Sequence, residues 1–241
     1  MDSRKKSAGF TLVELAIVMI IVGLLVGGVL KGQELITNAR VTAAVKQVKG
    51  AEAAVLTFRD MYRALPGDMV DANMRIPHPP GVPQGNGNGN YQLDNGPGFP
   101  PDEEGPFFFT HLWLAGLTTD INPIQGEAAW GGMYPDAKIG SCGLHPGWSL
   151  GRNADFANAV PDNAPMMGLH LTFTRTPRAV LESCMTSNHA ARIDTKLDDG
   201  GPITGSVRSY FTEGGCHEGS GGIYMESDTG EDCGLFVKIQ N

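Results

Sequence analysis

One stretch constrains this chain more than any other. From Phe10 to Leu30 run 21 residues in which Glu14 is the only charge. As a helix rising 1.5 Å per residue, such a run is long enough to cross the ~30 Å hydrocarbon core of a bilayer. A short basic leader with Arg4, Lys5 and Lys6 precedes it. Positive flanks are retained on the cytoplasmic side, so the rest of the chain is expected across the membrane.

Three readings of this stretch compete. A secretory signal peptide has the basic start. Its apolar core is normally shorter and uncharged, however, and Val26-Gly27-Gly28 makes a poor cleavage site. A plain signal anchor leaves Glu14 unexplained, and a carboxylate facing lipid costs roughly 2.5–3.5 kcal/mol. The third reading gives Glu14 a partner. Cleavage after Gly9 creates a new amino terminus on Phe10, ~6 Å along the helix from Glu14. A neighbouring chain's amino terminus can pair with Glu14 where helices pack side by side.

The residues Gly9-Phe10-Thr11-Leu12-Val13-Glu14 lie behind a basic leader and before an uninterrupted apolar run. In this they resemble the processing site of type IV prepilins and of the pseudopilins of type II secretion. The resemblance implies that a prepilin peptidase cuts between Gly9 and Phe10 and that Phe10 is N-methylated. It implies a role for Glu14 in assembling a filament of like or unlike subunits. It further implies a single-pass inner-membrane chain with a periplasmic C-terminal domain, then a periplasmic or extracellular filament. The expected fold is α+β and pilin-like: a long N-terminal helix packed on a loop-rich domain with a small antiparallel sheet. The expected divisions are a leader at 1–9, a membrane and assembly half of the helix at 10–30, an amphipathic half at 31–65, and an exported domain at 66–241.

Composition sharpens this picture. The 33 Gly and 16 Pro exceed a fifth of the 241 residues, which points to loops. The 10 Phe, 5 Tyr and 3 Trp still supply a core. Beyond Ala64 there are nine Lys and Arg against 21 Asp and Glu. Such a domain repels polyphosphate, so nucleic-acid binding is not expected. Four cysteines, Cys142, Cys184, Cys216 and Cys233, lie in the exported part. An even count in an oxidising compartment reads as two disulfides with three possible connectivities. Proximity favours Cys216–Cys233 and then Cys142–Cys184; reduced, buried thiols are the alternative.

Past Leu30 the helical period continues. Val41, Ala44, Val45, Val48, Ala51, Val55, Phe58, Tyr62 and Leu65 form one apolar stripe, and Pro66-Gly67 ends it. The helix should therefore run from about Phe10 to about Ala64. Gly23, Gly27, Gly28, Gly32 and Gly50 each weaken it by up to ~1 kcal/mol. Gly23-x-x-x-Gly27 also permits close helix packing. The glycines either serve that packing or mark where the helix loosens on assembly.

Residues 66–106 are rich in proline and read as loop. Within them, Asn86, Asn88, Asn90 and Asp94 alternate with glycine and other residues. Side-chain oxygens on such a turn can wrap Ca²⁺, with Asp102, Glu103 or Glu104 adding charge. The alternative is a flexible Asn-Gly turn series. Phe107–Leu117 reads as a short buried helix ended by Gly116. The combination of Tyr62–Asp68, the Asn-Gly run and His111–Leu117 resembles a group of prepilin-type proteins of uncertain role.

Gly168–Thr174, Ser206–Phe211 and Leu235–Ile239 read as strands of a small antiparallel sheet. Pro177–Ser187 reads as a helix with Pro177 in its first turn. Ile193–Pro202 resembles a segment of the same prepilin-type group. Its Asp198-Asp199-Gly200 reads as a turn, with Ca²⁺ coordination as the alternative.

Enzyme chemistry finds little support. Gly147-Trp148-Ser149-Leu150-Gly151 matches a nucleophile-elbow pattern, but His145-Pro146 and Arg152-Asn153 suggest loop where a strand and a helix are required. Cys142 with His145 and Cys216 with His217 lack the paired spacing of a zinc site. No enzyme and no cofactor beyond calcium is expected. The competing reading, from a different class, is a monomeric membrane-anchored domain that binds calcium or a surface ligand.

Overall fold

A computed structural model describes residues 11–93, 104–125, 129–150, 167–177, 182–210, 215–218 and 222–239. The chain divides into two units, Met1–Ala39 and Arg40–Asn241, and helix α1 (Leu12–Tyr62) contributes to both. Within the first unit α1 buries no side chain: from Leu12 to Leu30 every residue is exposed. A helix apolar on every side has no face to turn inward, and it is stable only in lipid or among other helices. Among the described residues it is the one helix long and apolar enough to cross a membrane.

In the second unit the same helix buries Val41, Ala44, Val48, Ala54, Val55 and Phe58. These fall on one stripe, while Arg40, Lys46 and Lys49 stay exposed. The chain then leaves the helix through Arg63, at φ 60, and Gly67, at φ +85. Glycine takes that left-handed backbone without a steric cost. A Cβ on Gly67 would also stand 2.6 Å from the Glu104 carbonyl. Helix α2 (Ala72–Arg75) is a single turn, and α3 (Glu104–Leu114) is nearly all buried. Gly116, at φ +72, follows α3 as expected.

Four strands form one antiparallel sheet in the order β1-β2-β6-β3: β1 Gly143–Leu150, β2 Met167–Thr174, β3 Val207–Tyr210 and β6 Gly234–Lys238. Two-residue strands β4 (His217–Glu218) and β5 (Ile223–Tyr224) pair separately. Leu144 lies opposite Phe173, and Leu171 and Val207 both lie opposite Val237. That register stacks an aliphatic face on the core. On the other face Phe236 packs edge-on to His170 and against Tyr210, whose hydroxyl donates to the Phe173 carbonyl. An added Cβ on Gly234 would collide with the hydroxyl end of the Tyr210 ring, so only bare backbone fits there.

The sequence reading is corrected in two places. His145-Pro146 is not loop but part of β1. Pro146 is tolerated because β1 is an edge of the sheet: its ladder runs with β2 alone, a single bridge joins Gly143 to Asp136 on the other side, and at Pro146 a missing N–H breaks no ladder. The helix expected over Pro177–Ser187 lies further on, as α4 (Ser187–Leu197), capped by Thr186. Residues 178–181 lie outside the described residues; 182–184 form no helix, Met185 bridges to Cys233, and Cys184 is tied to Cys142. Thr186 Oγ1 accepts the His189 N–H at 3.3 Å, an ordinary N-cap bond.

Cys142 is joined to Cys184, and Cys216 to Cys233. The first bridge ties β1 to the segment before α4. The second ties β4 to the start of β6.

Candidate functional site

The start of α1 is held by a reciprocal pair of residues. Thr11 N–H donates to Glu14 Oε2 at 2.8 Å, and the Thr11 hydroxyl donates to the same oxygen at 2.9 Å. Glu14 N–H in turn reaches Thr11 Oγ1 at 3.3 Å. This is a capping box, S/T-x-x-E, which satisfies N–H groups that the first turn of a helix leaves without partners. The sequence reading treated Glu14 only as a charge in the membrane. The signal was there in Thr11-Leu12-Val13-Glu14. Both Thr11 bonds fall on the same carboxylate oxygen, Oε2. Gly9 and Phe10, the expected cleavage and methylation residues, lie outside the described residues.

Around this cap the helix presents apolar side chains in every direction, with Leu12 87% exposed and Leu24 73% exposed. Beyond the apolar stretch Lys31 pairs with Glu34 at 2.6 Å, as an exposed neighbour pair one turn apart. Residues 4–30 match the family model for the prokaryotic N-terminal methylation motif. The chain carries a prepilin-type processing signature. No curated protein and no solved structure matches the chain significantly. The prepilin-type segment therefore covers the cap, the apolar run and the basic leader, and leaves the chain beyond Leu30 unmatched.

The Asn-Gly loop is organised around a carboxylate of the chain. Asp68 is buried, and it accepts N–H bonds from Gly89 at 2.7 Å, Asn90 at 3.1 Å and Tyr91 at 2.7 Å. Glu104 accepts the Asn88 N–H at 2.8 Å. The asparagine oxygens are spent locally: Asn86 on Asn73 N–H, Asn88 on Asn90 N–H, and Asn90 on Gln92 N–H. The loop thus turns its amides inward on an anion. A calcium loop turns oxygens inward on a cation. Asp94, the carboxylate expected to complete such a site, lies outside the described residues.

His111 fastens the same hub from α3. Gly67 N–H donates into His111 Nδ1 at 2.9 Å, which fixes Nε2 as the protonated nitrogen, and that nitrogen donates to the Gly85 carbonyl at 3.0 Å. Burial of the ring lowers its pKa from 6.5 to about 4. The ring is neutral at physiological pH and serves as a two-ended clip between the end of α1 and the loop. The Tyr62–Asp68, Asn-Gly and His111–Leu117 segments singled out in the sequence are thereby parts of one structure.

A second acidic group lies at the end of α4. Asp194, Asp198 and Asp199 bring carboxylate oxygens within 4.8 Å of one another. Each is engaged by the protein. Asp194 accepts from the Tyr224 hydroxyl at 2.8 Å and Gly200 N–H at 3.1 Å. Asp198 accepts from Ser206 and Val207 N–H. Asp199 accepts from Gly201 N–H and the Thr204 hydroxyl. Burial raises the Asp194 pKa to about 6. The arrangement builds the turn expected at Asp198-Asp199-Gly200.

The zinc and nucleophile patterns have structural roles. Cys142 and Cys216 are in disulfides, so neither offers a thiolate. Ser149 lies inside β1 opposite Gly168, not on a turn between a strand and a helix. Gly151 lies outside the described residues.

Proposed function

We propose that this chain is a structural subunit, pilin or pseudopilin, of a type IV pilus or type II secretion filament. It is processed after Gly9, methylated on Phe10 and assembled by packing of its N-terminal helix in and out of the inner membrane. The observation that carries the reading is the prepilin-type signature over residues 4–30, joined to a helix whose apolar residues find no partner in their own unit. The two disulfides are in keeping with a domain on the oxidising side of the membrane.

The cap gives Glu14 two stages of use. In the single chain the carboxylate is partly satisfied by Thr11. That lowers the cost of holding it in lipid before assembly. In the filament its remaining acceptor capacity takes the amino terminus of a neighbouring subunit. An ammonium and a carboxylate are both costly in hydrocarbon, and each relieves the other. The pair forms only at one axial stagger, so it selects register as well as adding energy.

Two substitutions separate the roles. Glu14→Gln keeps a side chain that serves a capping box but removes the charge. Glu14→Ala removes both. If the charge drives assembly, both variants are cleaved and reach the membrane, and both are scarce in sheared filaments. Wild-type amounts of Glu14→Gln in filaments would reject the pairing.

A further inference from the structure

A cleft of about 210 Å³ opens on the second unit between α1 and α3, with Lys46, Gln47 and Gly50 on one side and Phe109, Leu112 and Asp120 on the others. Its floor is apolar and its rim is polar. Gly50 is the weak point of the helix wall, since glycine in a helix interior is unfavourable. Nothing in the chain requires it: an added Cβ would meet no atom within 4 Å. The Gln47 side chain donates both its N–H groups, to Asp136 O at 3.0 Å and Asp120 Oδ2 at 3.3 Å. That orientation leaves Gln47 Oε1 buried with no hydrogen-bond partner. Lys46 is exposed and forms no ion pair among the described residues. The cleft thus combines apolar floor, bare backbone, a spare acceptor and a spare cation.

A surface of the opposite kind lies on the same unit. The loop closed by Cys216–Cys233 carries Glu218, Glu226, Asp228, Glu231 and Asp232 and no Lys or Arg. Ile223, on β5, is 68% exposed, and its cross-strand partner is the exposed Glu218. An isoleucine knob is therefore set beside the Glu218 carboxylate. The helix side of the cleft lies on a basic segment, while its far side, with Asp120, belongs to the acidic remainder. Residues 40–63 carry five Lys and Arg against two acidic residues, and the chain beyond Ala64 carries nine against 21.

We propose that a second copy of this chain docks on the α1 face around Gly50, seating Ile223 of its acidic loop in the cleft beside Lys46. The knob fills the apolar floor, Glu218 of the second copy pairs with Lys46, and Gly50 lets the incoming strand approach the helix backbone. Knob and cleft are different patches, so the contact is head-to-tail and continues from copy to copy. It involves neither Glu14 nor the apolar half of α1, and it stands or falls separately from the filament reading.

The test uses the full-length chain in its native membrane, made as a mixture of light and heavy isotope-labelled copies. Zero-length carbodiimide coupling joins amines to carboxylates that are in contact, and peptide mapping identifies the joined pairs. The expected product is a light–heavy link from Lys46 to Glu218 or Glu226. Gly50→Leu has room to fold and fills the cleft; it and Ile223→Asp should each lower the yield about tenfold. The charge exchange Lys46→Glu with Glu218→Lys should restore what Lys46→Glu alone loses. Filaments that form without this link overturn the docking and leave the filament reading intact. The link found in cells that make no filament supports the docking. Absence of both overturns both.

Discussion

The two halves of α1 use the same residue types for different ends. Between Leu12 and Leu30 the leucines, valines and isoleucines are all exposed; between Val41 and Phe58 six apolar side chains are buried. The first half is apolar all round and has no core of its own. The second is apolar on one stripe and forms one wall of a core. Burial, not composition, decides which half sustains the fold. The first half matters only when lipid or another helix supplies its missing partner.

The sharpest way to break this comparison is to truncate one side chain in each half. Phe58 is fully buried and packs against Tyr62 and His111. Phe58→Ala should destabilise the second unit by about 3–5 kcal/mol. Leu24→Ala removes a side chain that touches no core and should leave thermal unfolding of that unit unchanged. An equal loss from both would mean the halves are not distinct.

The disulfides sharpen the same contrast, since both lie in the second unit. Cys216–Cys233 spans 17 residues, and closing a loop of that size is worth about 3 kcal/mol. Replacing both cysteines by alanine should lower the melting temperature of the second unit without changing the amount of chain in the membrane. A melting temperature equal to wild type would remove the staple from the account.

Acid should act on the second unit through its buried histidines. Burial holds His111 and His170 at about 4 instead of 6.5. Unfolding frees both rings to bind protons below pH 6.5. The stability they contribute is complete above that pH and is lost as pH falls toward 4. Asp194, raised to about 6, works the other way: its contribution is complete below its ordinary 3.8 and is lost as pH rises through 6. His145, which burial also holds at about 4, adds to the histidine side, so the balance is a net loss of stability from pH 7 to 4 with the histidines dominant. His111→Gln, which keeps a donor and an acceptor, should flatten the acid side of a melting profile. An unchanged slope would show that His111 does not drive it.

Much of this fold was legible because it rests on local pattern. The stripe from Val41 to Phe58, the breaker Pro66-Gly67, the helix before Gly116 and the alternating strands at Gly168–Thr174 and Leu235–Ile239 all carry their signal within a few residues. What was missed depended on distant partners. β1 contains Pro146 and two glycines, and only its position at the sheet edge makes that acceptable. Helix α4 begins at Ser187, after a segment held by the Cys142–Cys184 bridge and the Cys233 pairing. The Asn-Gly loop shows its side-chain oxygens in the sequence; the backbone amides that turn inward to Asp68 are not visible there. At the amino terminus, Thr11-x-x-Glu14 was readable as a cap but was overshadowed by the cost of a charge in lipid.

The central claim is that the exposed half of α1 is the assembly element of a processed filament subunit. The most direct measurement is the intact mass and terminal sequence of the chain recovered from sheared surface filaments. The account predicts a chain that begins at Phe10, carries one N-methyl group and retains both disulfides. A chain that keeps Met1, one cut near Gly28, or one found only in the membrane fraction would contradict it.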